Sequence, residues 1–485
     1  MKSSNKISLR ALRLCVTISF FCLFTFFANA QPKVWTLKDC MEQALQKNIQ
    51  VAQSQLKSDI NKITLEQSKY NRVPTLNGTA TQGFGFGRSL DPFSNQFVDN
   101  NVKSNNFSLN SNIILFNGFQ NQNTIKQNQL EYQASDFDVL KMKNDIVLNV
   151  ALAYMQVLFT YEQIDVAKKK LEATEGQVEQ TQKLLDVGKV TLSNLLQIKS
   201  QLATDKLSLI SAENQLQVTK VTLMQLMEIP ITADFDVEKP VLQEPQDTTL
   251  QTTEEIFKTA LDNQPQIKSA ASRTESALTG LKIAIGGQMP RLSLTGAVNT
   301  GYSSSRSINS LQTQYETKDI GYLKSNPLEI VSGVVPVSTS TKQDYAFGKQ
   351  FSDNFAQSLS FNLSVPIFNN RQVKSNIEKS KINIQNAQLN EQFTKNQLRK
   401  TIEQSYTDYT TAAKKYDASK EQLSAIGESY LISEKKFNLG MLNAIDFLIE
   451  KNNFFKAKSD LLQAKYDLIF KSKVLDFYQG KQIQL

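Results

Sequence analysis

Few residues of this chain are placed to do covalent chemistry. Its 485 residues include no histidine, which removes the commonest general base, the Ser-His and Cys-His dyads and most zinc sites. Of the three cysteines, Cys15 and Cys22 lie in an N-terminal segment that reads as a removable signal. Cys40 then stands alone, and no intramolecular disulfide can form. Gly83-x-Gly85-x-Gly87 resembles a phosphate-cradling run, but no helix follows it to offer an N-terminus to a phosphate. Glycines beside Phe84 and Phe86 read instead as part of a membrane strand. Carboxylates are numerous along the helices, yet they form no constellation and read as a solvated face. No enzyme, metal or cofactor is expected.

The elements that carry these residues are written twice. Arg72-Val-Pro-Thr-Leu76 matches Gln288-Met-Pro-Arg-Leu292, and Ala44-Leu45 matches Ala260-Leu261, at an offset of 290 − 74 = 216. Leu115-Phe-Asn117 matches Ile367-Phe-Asn369, Tyr154 matches Tyr406 and Gly188 matches Gly440, at an offset of 440 − 188 = 252. One insertion of 252 − 216 = 36 residues between Pro290 and Phe368 reconciles the two. The expected organisation is a signal peptide over 1–30, a first repeat over 31–229, a linker over 230–252 and a second repeat over 253–485. A long polar loop occupies 303–354 of the second repeat.

Lys2, Lys6, Arg10 and Arg13 precede an apolar run from Leu14 to Phe27 and a small-x-small site at Ala28-Asn-Ala30, the pattern of an export signal. The run is short of the ~20 residues of a spanning helix. Cleavage would remove four positive charges and lower the net charge from +8 to about +4, which weakens the case for a nucleic-acid partner. No later stretch is apolar enough for a membrane helix. If the exported chain enters a membrane, it does so as strands.

Each repeat reads as helix, strand, loop, strand, very long helix, tight turn, helix. The leading helix of the first runs from about Leu37 to Tyr70, and the long one from about Gly118 to Val187. A heptad seam marks the long helix at Val147, Val150, Tyr154, Val157, Tyr161, Ile164, Lys168, Leu171, Glu175, Val178, Gln182 and Leu185. At roughly 70 residues it is about 105 Å long, which matches two shorter helices laid end to end. Four segments alternate apolar with Asn, Ser and Thr. Leu76, Ala80, Phe84 and Phe86 mark the first, and Phe107, Leu109, Ile113 and Leu115 the second. Leu292, Leu294, Val298 and Tyr302 mark the third, and Phe355, Leu359, Phe361, Leu363 and Val365 the fourth. This is the signature of transmembrane β-strands, with lipid on one face and water on the other. Four strands cannot close a barrel, and an open edge cannot face lipid, so several chains must pool their strands.

With these features the chain resembles the TolC family of outer-membrane efflux proteins. The residues that carry the likeness are Trp35-x-Leu37, Ala44-Leu45-x-x-Asn48, Pro74, Leu115-Phe-Asn-Gly118, Val365-Pro-Ile-Phe368, Val187-Gly188 and Leu439-Gly440. The resemblance implies an α+β membrane protein, a homotrimer whose long α-helical coiled-coil barrel joins a 12-stranded transmembrane β-barrel with four strands per chain. It places the chain in the bacterial outer membrane, with the helices in the periplasm. It implies an exit duct of a tripartite efflux or type I secretion system, passing small molecules or protein. The partners would be a periplasmic adaptor (a membrane fusion protein) and an inner-membrane transporter of RND or ABC type. The alternative is a structural coiled-coil protein that spaces or anchors without transport.

By the same resemblance, Val187, Gly188, Leu439, Gly440 and Leu442 form the tips that meet the adaptor. Glycine there also suits a plain helix C-cap. Asp446 falls where the family carries an aspartate at its closed periplasmic entrance. Its counterpart in the first repeat is Asn194, so the charge belongs to the second repeat alone. Ile449 stands where the family often has a further aspartate, and Glu450, four residues from Asp446, lies on nearly the same helix face.

Overall fold

The structure is a computed structural model describing residues 34–90, 95–99, 101–240 and 251–481. The expected signal peptide lies outside the described residues, as does the middle of the expected linker. The chain forms two compact units, each drawing on both repeats. Of the described residues, one comprises 34–60, 133–240, 251–272 and 388–481; the other comprises 61–90, 95–99, 101–132 and 273–387.

The two repeats match helix for helix in length. The first repeat holds α1 (Leu37–Lys47), α2 (Ile49–Tyr70), α3 (Gln120–Asp186) and α4 (Leu192–Leu226), of 11, 22, 67 and 35 residues. The second holds α5 (Thr253–Asn263), α6 (Pro265–Gly286), α8 (Gln372–Asn438) and α9 (Ala444–Tyr478), again of 11, 22, 67 and 35 residues. A short α7 (Phe347–Asp353) lies between α6 and α8. The single leading helix expected in each repeat is two helices. In the first, Asn48 is extended; its amide donates to the Leu226 carbonyl (3.1 Å) and its side-chain oxygen accepts from the Gln50 N–H (2.9 Å). The end of α4 thus meets the start of α2, as the length argument required. In the second, Gln264 precedes Pro265 and is pushed out of the helical region. Capping boxes open α1 at Thr36/Asp39 and α5 at Thr252/Glu255.

Within the helical unit the main core gathers Cys40 and Ala44 of α1, Ile146, Val150, Tyr154 and Val157 of α3, Leu223 and Met224 of α4, and Phe455 and Tyr466 of α9. The upper half of the expected seam is therefore the packed one. Lower down, Lys168 and Glu175 are exposed, and the buried line passes through Thr174, Gln177 and Thr181. Part of the expected linker is also structured. Strand β6 (Asp236–Val237) pairs in parallel with β1 (Val34–Trp35), and Phe235 and Val237 are buried. Lys220 lies 3.4 Å from Asp236, and the Tyr154 hydroxyl donates to the Glu238 carbonyl at 2.7 Å.

The second unit is built on β2 (Thr75–Gly85), β5 (Val102–Asn117), β7 (Arg291–Ser303) and β10 (Ala356–Ser364). They form one antiparallel sheet in the order β10-β7-β5-β2. These are the four strands expected from alternation. Its register sets Leu109 opposite Val298 and Ile113 opposite Leu294, so the apolar sets share one face. A bulge between Ile114 and Phe116 sets Phe116, rather than Leu115, opposite Leu292. The two edges are β10 and β2. The loop over 88–104 carries a two-residue pairing, β3 (Ser89–Leu90) with β4 (Phe97–Val98).

The expected loop over 303–354 is not a loop. It is a long hairpin, β8 (Ser307–Leu323) with β9 (Asn326–Asp344), followed by α7. This hairpin accounts for the inserted residues. Its Ser, Thr and Gln content hid the strands, because the hairpin is solvated and needs no apolar face to form its ladder.

Candidate functional site

The tip of each helical hairpin is a glycine turn. Gly188 and Gly440 have φ of 76° and 75°, the left-handed region where side chains are strained. Among the described residues, no atom beyond the adjoining chain lies within 4 Å of where a β-carbon on either glycine would sit, so it is the backbone turn that selects glycine. In each, the glycine N–H and the next N–H return to carbonyls of the last helical turn. Lys189 reaches Leu184 (2.9 Å) and Met441 reaches Lys436 (2.8 Å), the Schellman arrangement. The following helix starts at once. Thr191 caps α4 by accepting from Asn194 N–H, and Asn443 caps α9 by accepting from Asp446 N–H at 2.9 Å.

The two turns come together. Both line one cavity of about 270 Å³, with Thr181, Lys189 and Asn194 on one side and Phe437, Gly440 and Asn443 on the other. Gln180 of α3 donates to Asn438 of α8 at 2.8 Å across the pair. Val187 and Leu439 project into solvent at 68% and 75% exposure. Leu442 differs, since it packs against the cluster of Ile198, Tyr430, Phe437 and Phe447 and holds the turn rather than projecting from it.

Asp446 is exposed in the first turn of α9. Its carboxylate accepts from the Asn443 amide at 2.6 Å, beside the positive end of the helix. Its counterpart Asn194 has no charge to offer there. Glu450 is half-buried one turn on and accepts from Ser429 of α8 at 3.1 Å. Exposed Ile445 and Ile449 flank the pair.

Just beyond, the core turns polar in a way that the sequence reading missed. Lys451 of α9 is 1% exposed and donates to the Thr174 hydroxyl. Thr174 donates to Asp205 of α4 (2.5 Å), and Asp205 also takes Gln201 (2.8 Å) and Lys170 (3.1 Å). Burial pulls the Lys451 ammonium down to about 8, against the attraction of Asp205 and with the help of Lys170. Among the described residues, the Gln177 amide, the Thr181 hydroxyl and the Asn452 oxygen are buried nearby without a hydrogen-bond partner. The sequence did carry a signal. Phe447, Lys451 and Phe455 are spaced by four, so the lysine interrupts an apolar stripe. Thr174, Gln177 and Thr181 repeat at three and four.

A family described as "Outer membrane efflux protein" matches residues 40–227 and 256–480, both repeats in turn. The chain belongs to the outer membrane efflux protein family. Its place is the outer membrane, with the helical part in the periplasm. Among characterised members, Outer membrane protein TolC of Escherichia coli is 22% identical over 329 residues, covering 67% of this chain and 59% of that protein. Outer membrane efflux protein BepC of Brucella suis is 19% identical over 367 residues, covering 75% and 69%. The match to the first of these thus spans about three-fifths of its length. Among solved structures, CusC superposes with a TM-score of 0.73 at 16% identity, over 94% of this chain and 96% of that one. VceC of Vibrio cholerae superposes at 0.71 with 15% identity, over 92% and 97%. At these identities the likeness is one of fold, a helical part with a β part.

Proposed function

We propose that this efflux family member is the homotrimeric exit duct of a tripartite export system. The observation that carries the reading is the four-stranded sheet with an apolar face and two open edges, β10 and β2. In lipid those edges must be paired. Pairing β10 of one chain with β2 of the next closes three sheets into a 12-stranded barrel, within the size range of outer-membrane barrels. The duplicated halves, 31–229 and 253–485 about the linker 230–252, supply matching helices for a tunnel wall in the periplasm. The paired glycine turns then offer Val187 and Leu439 to a periplasmic adaptor, which links the duct to an inner-membrane transporter of RND or ABC type. Asp446 and Glu450 lie beside that tip and form the gate. Export of small molecules or of protein fits the same duct.

The test has two parts. Mass measurement in mild detergent should give a trimer that retains its strand content; a monodisperse monomer with intact strands overturns the closure. A deletion strain should accumulate export substrates and recover on complementation. Unchanged accumulation favours instead a protein that only spaces or anchors.

A further inference from the structure

The helix α7 lies where a polar loop was expected, and it lies on the apolar face of the sheet. Phe351 meets Phe107 of β5 edge-on at 5.7 Å, and Phe347 leans on Tyr302 of β7 at 5.4 Å. Both contacts fall on the two central strands, away from the open edges. They lie at the end of the sheet far from the strand-to-helix junctions. A polar clamp fixes the helix there. Gln350 is fully buried; its amide donates to the carbonyls of Ser303 (3.0 Å) and Tyr345 (2.7 Å), and its oxygen accepts from Ser303 N–H (3.0 Å). The Thr300 hydroxyl donates to the Phe351 carbonyl at 2.5 Å, and the Asn354 amide donates to Gly301 at 2.7 Å.

The clamp holds aromatic surface outward. Phe347, Phe351 and Phe355 are spaced by four and are 47%, 41% and 50% exposed. The row continues into exposed Leu359, Phe361 and Leu363, which alternate along β10. Moving phenylalanine surface out of water is favourable, so water is a poor medium for this face and lipid a good one. At the polar margin two cations share one ring. The Arg306 guanidinium is 5.1 Å and the Lys349 ammonium 5.7 Å from the centre of Tyr345. Arg306 also donates to Asn354, and Asp344 and Asp353 end the neighbouring elements. Both cations are held against Tyr345 at this margin, so an anion there meets positive charge. An apolar row bordered by cations is the pattern of a helix that lies in a membrane interface.

We propose that α7 seats the protein in the outer leaflet: its phenylalanines enter the acyl chains, and Arg306 and Lys349 bind the phosphate of a lipid headgroup. This rests on reading the sheet as a barrel wall in lipid, and the test separates the two. Trp35 is the chain's only tryptophan, so Trp35→Phe with Phe351→Trp gives one reporter at α7. The reporter variant is reconstituted into phosphatidylcholine vesicles, with barrel formation followed by heat-modifiable mobility in SDS. Expected is quenching by lipids brominated high in the acyl chain and little quenching by aqueous iodide. Adding phosphatidic acid should raise the thermal midpoint of the wild type and not of Arg306→Gln/Lys349→Gln. Inorganic phosphate should raise neither. If the barrel forms but the indole reporter of the variant is quenched by iodide and not by brominated lipid, α7 is not a membrane element. If phosphatidic acid acts equally on wild type and double variant, or inorganic phosphate replaces it, the headgroup site is wrong. A chain that never inserts overturns the barrel reading and this inference together.

Discussion

Lys451 is the residue at which the helical unit departs furthest from a simple coiled coil. An ammonium inside a helix bundle is unfavourable unless paired, and burial dominates over Asp205 in setting its titration. The sign of the pH effect follows. The unfolded chain holds the proton up to 10.5, whereas the fold releases it near 8. Between those values the unfolded state binds more protons, so stability rises with pH across that window. Below about pH 8 both states are charged and the burial penalty is felt in full. Lys451→Met should therefore stabilise the protein in detergent at pH 7 by on the order of 1–3 kcal/mol, read as a higher thermal midpoint, and flatten the rise above pH 8. Asp205 keeps Lys170, Thr174 and Gln201 in that variant, so no carboxylate is stranded. A midpoint that falls at pH 7 would show that the ammonium is a net stabiliser. The heptad frame expected Lys168 and Glu175 in the seam. A frame of sevens built on apolar residues passes over Thr174, Gln177 and Thr181, whose three-and-four spacing is visible in the sequence but carries no apolar signal.

Among the elements, the strands were legible because one face is apolar and the other is Asn, Ser and Thr. The long helices were legible because their periodicity persists. The β8–β9 hairpin was not, since strands solvated on both faces lack the alternation by which strands are read. Among the described residues it pairs only with itself, and its ends meet, with Tyr345 N–H reaching the Arg306 carbonyl at 3.4 Å. Excising Ser307–Asp344 and joining Arg306 to Tyr345 should leave the stability of the β unit within about 0.5 kcal/mol of wild type. Gln350→Ala should destabilise it by about 1–3 kcal/mol, because the Ser303 N–H and carbonyl lose their partner. Thermal melts followed by strand circular dichroism compare the two. A large loss on excision would show that the hairpin holds the sheet together. At the other end of the sheet a close crossing is set by glycine. A β-carbon on Gly118 would come within 2.3 Å of the Gly286 carbonyl, and φ there is 64°. The Leu115-Phe-Asn-Gly118 motif was visible in the sequence, but its reason is this contact with the end of α6.

At the scale of the whole molecule, the trimer proposed above would bring three copies of Asp446 to one ring at the periplasmic entrance, with Glu450 one turn along. A ring of carboxylates favours cations and binds multivalent ones. Asp446 also has a local task, because it accepts from Asn443 at the start of α9, and the two roles can be separated. Asp446→Asn removes the charge and keeps a side chain able to hydrogen-bond Asn443, while Asp446→Ala removes both. Single-channel recording in planar bilayers should show cation preference and block by multivalent cations for wild type. Both variants should lose preference and block together, whereas Asp446→Ala alone should be destabilised, by about 0.5–1 kcal/mol for a missing capping contact, read as a lower thermal midpoint. Glu450→Gln should weaken the block less, because that carboxylate is half-buried against Ser429. If Asp446→Asn keeps the wild-type preference and block while Asp446→Ala is destabilised, Asp446 is a helix-capping carboxylate and the gate lies elsewhere.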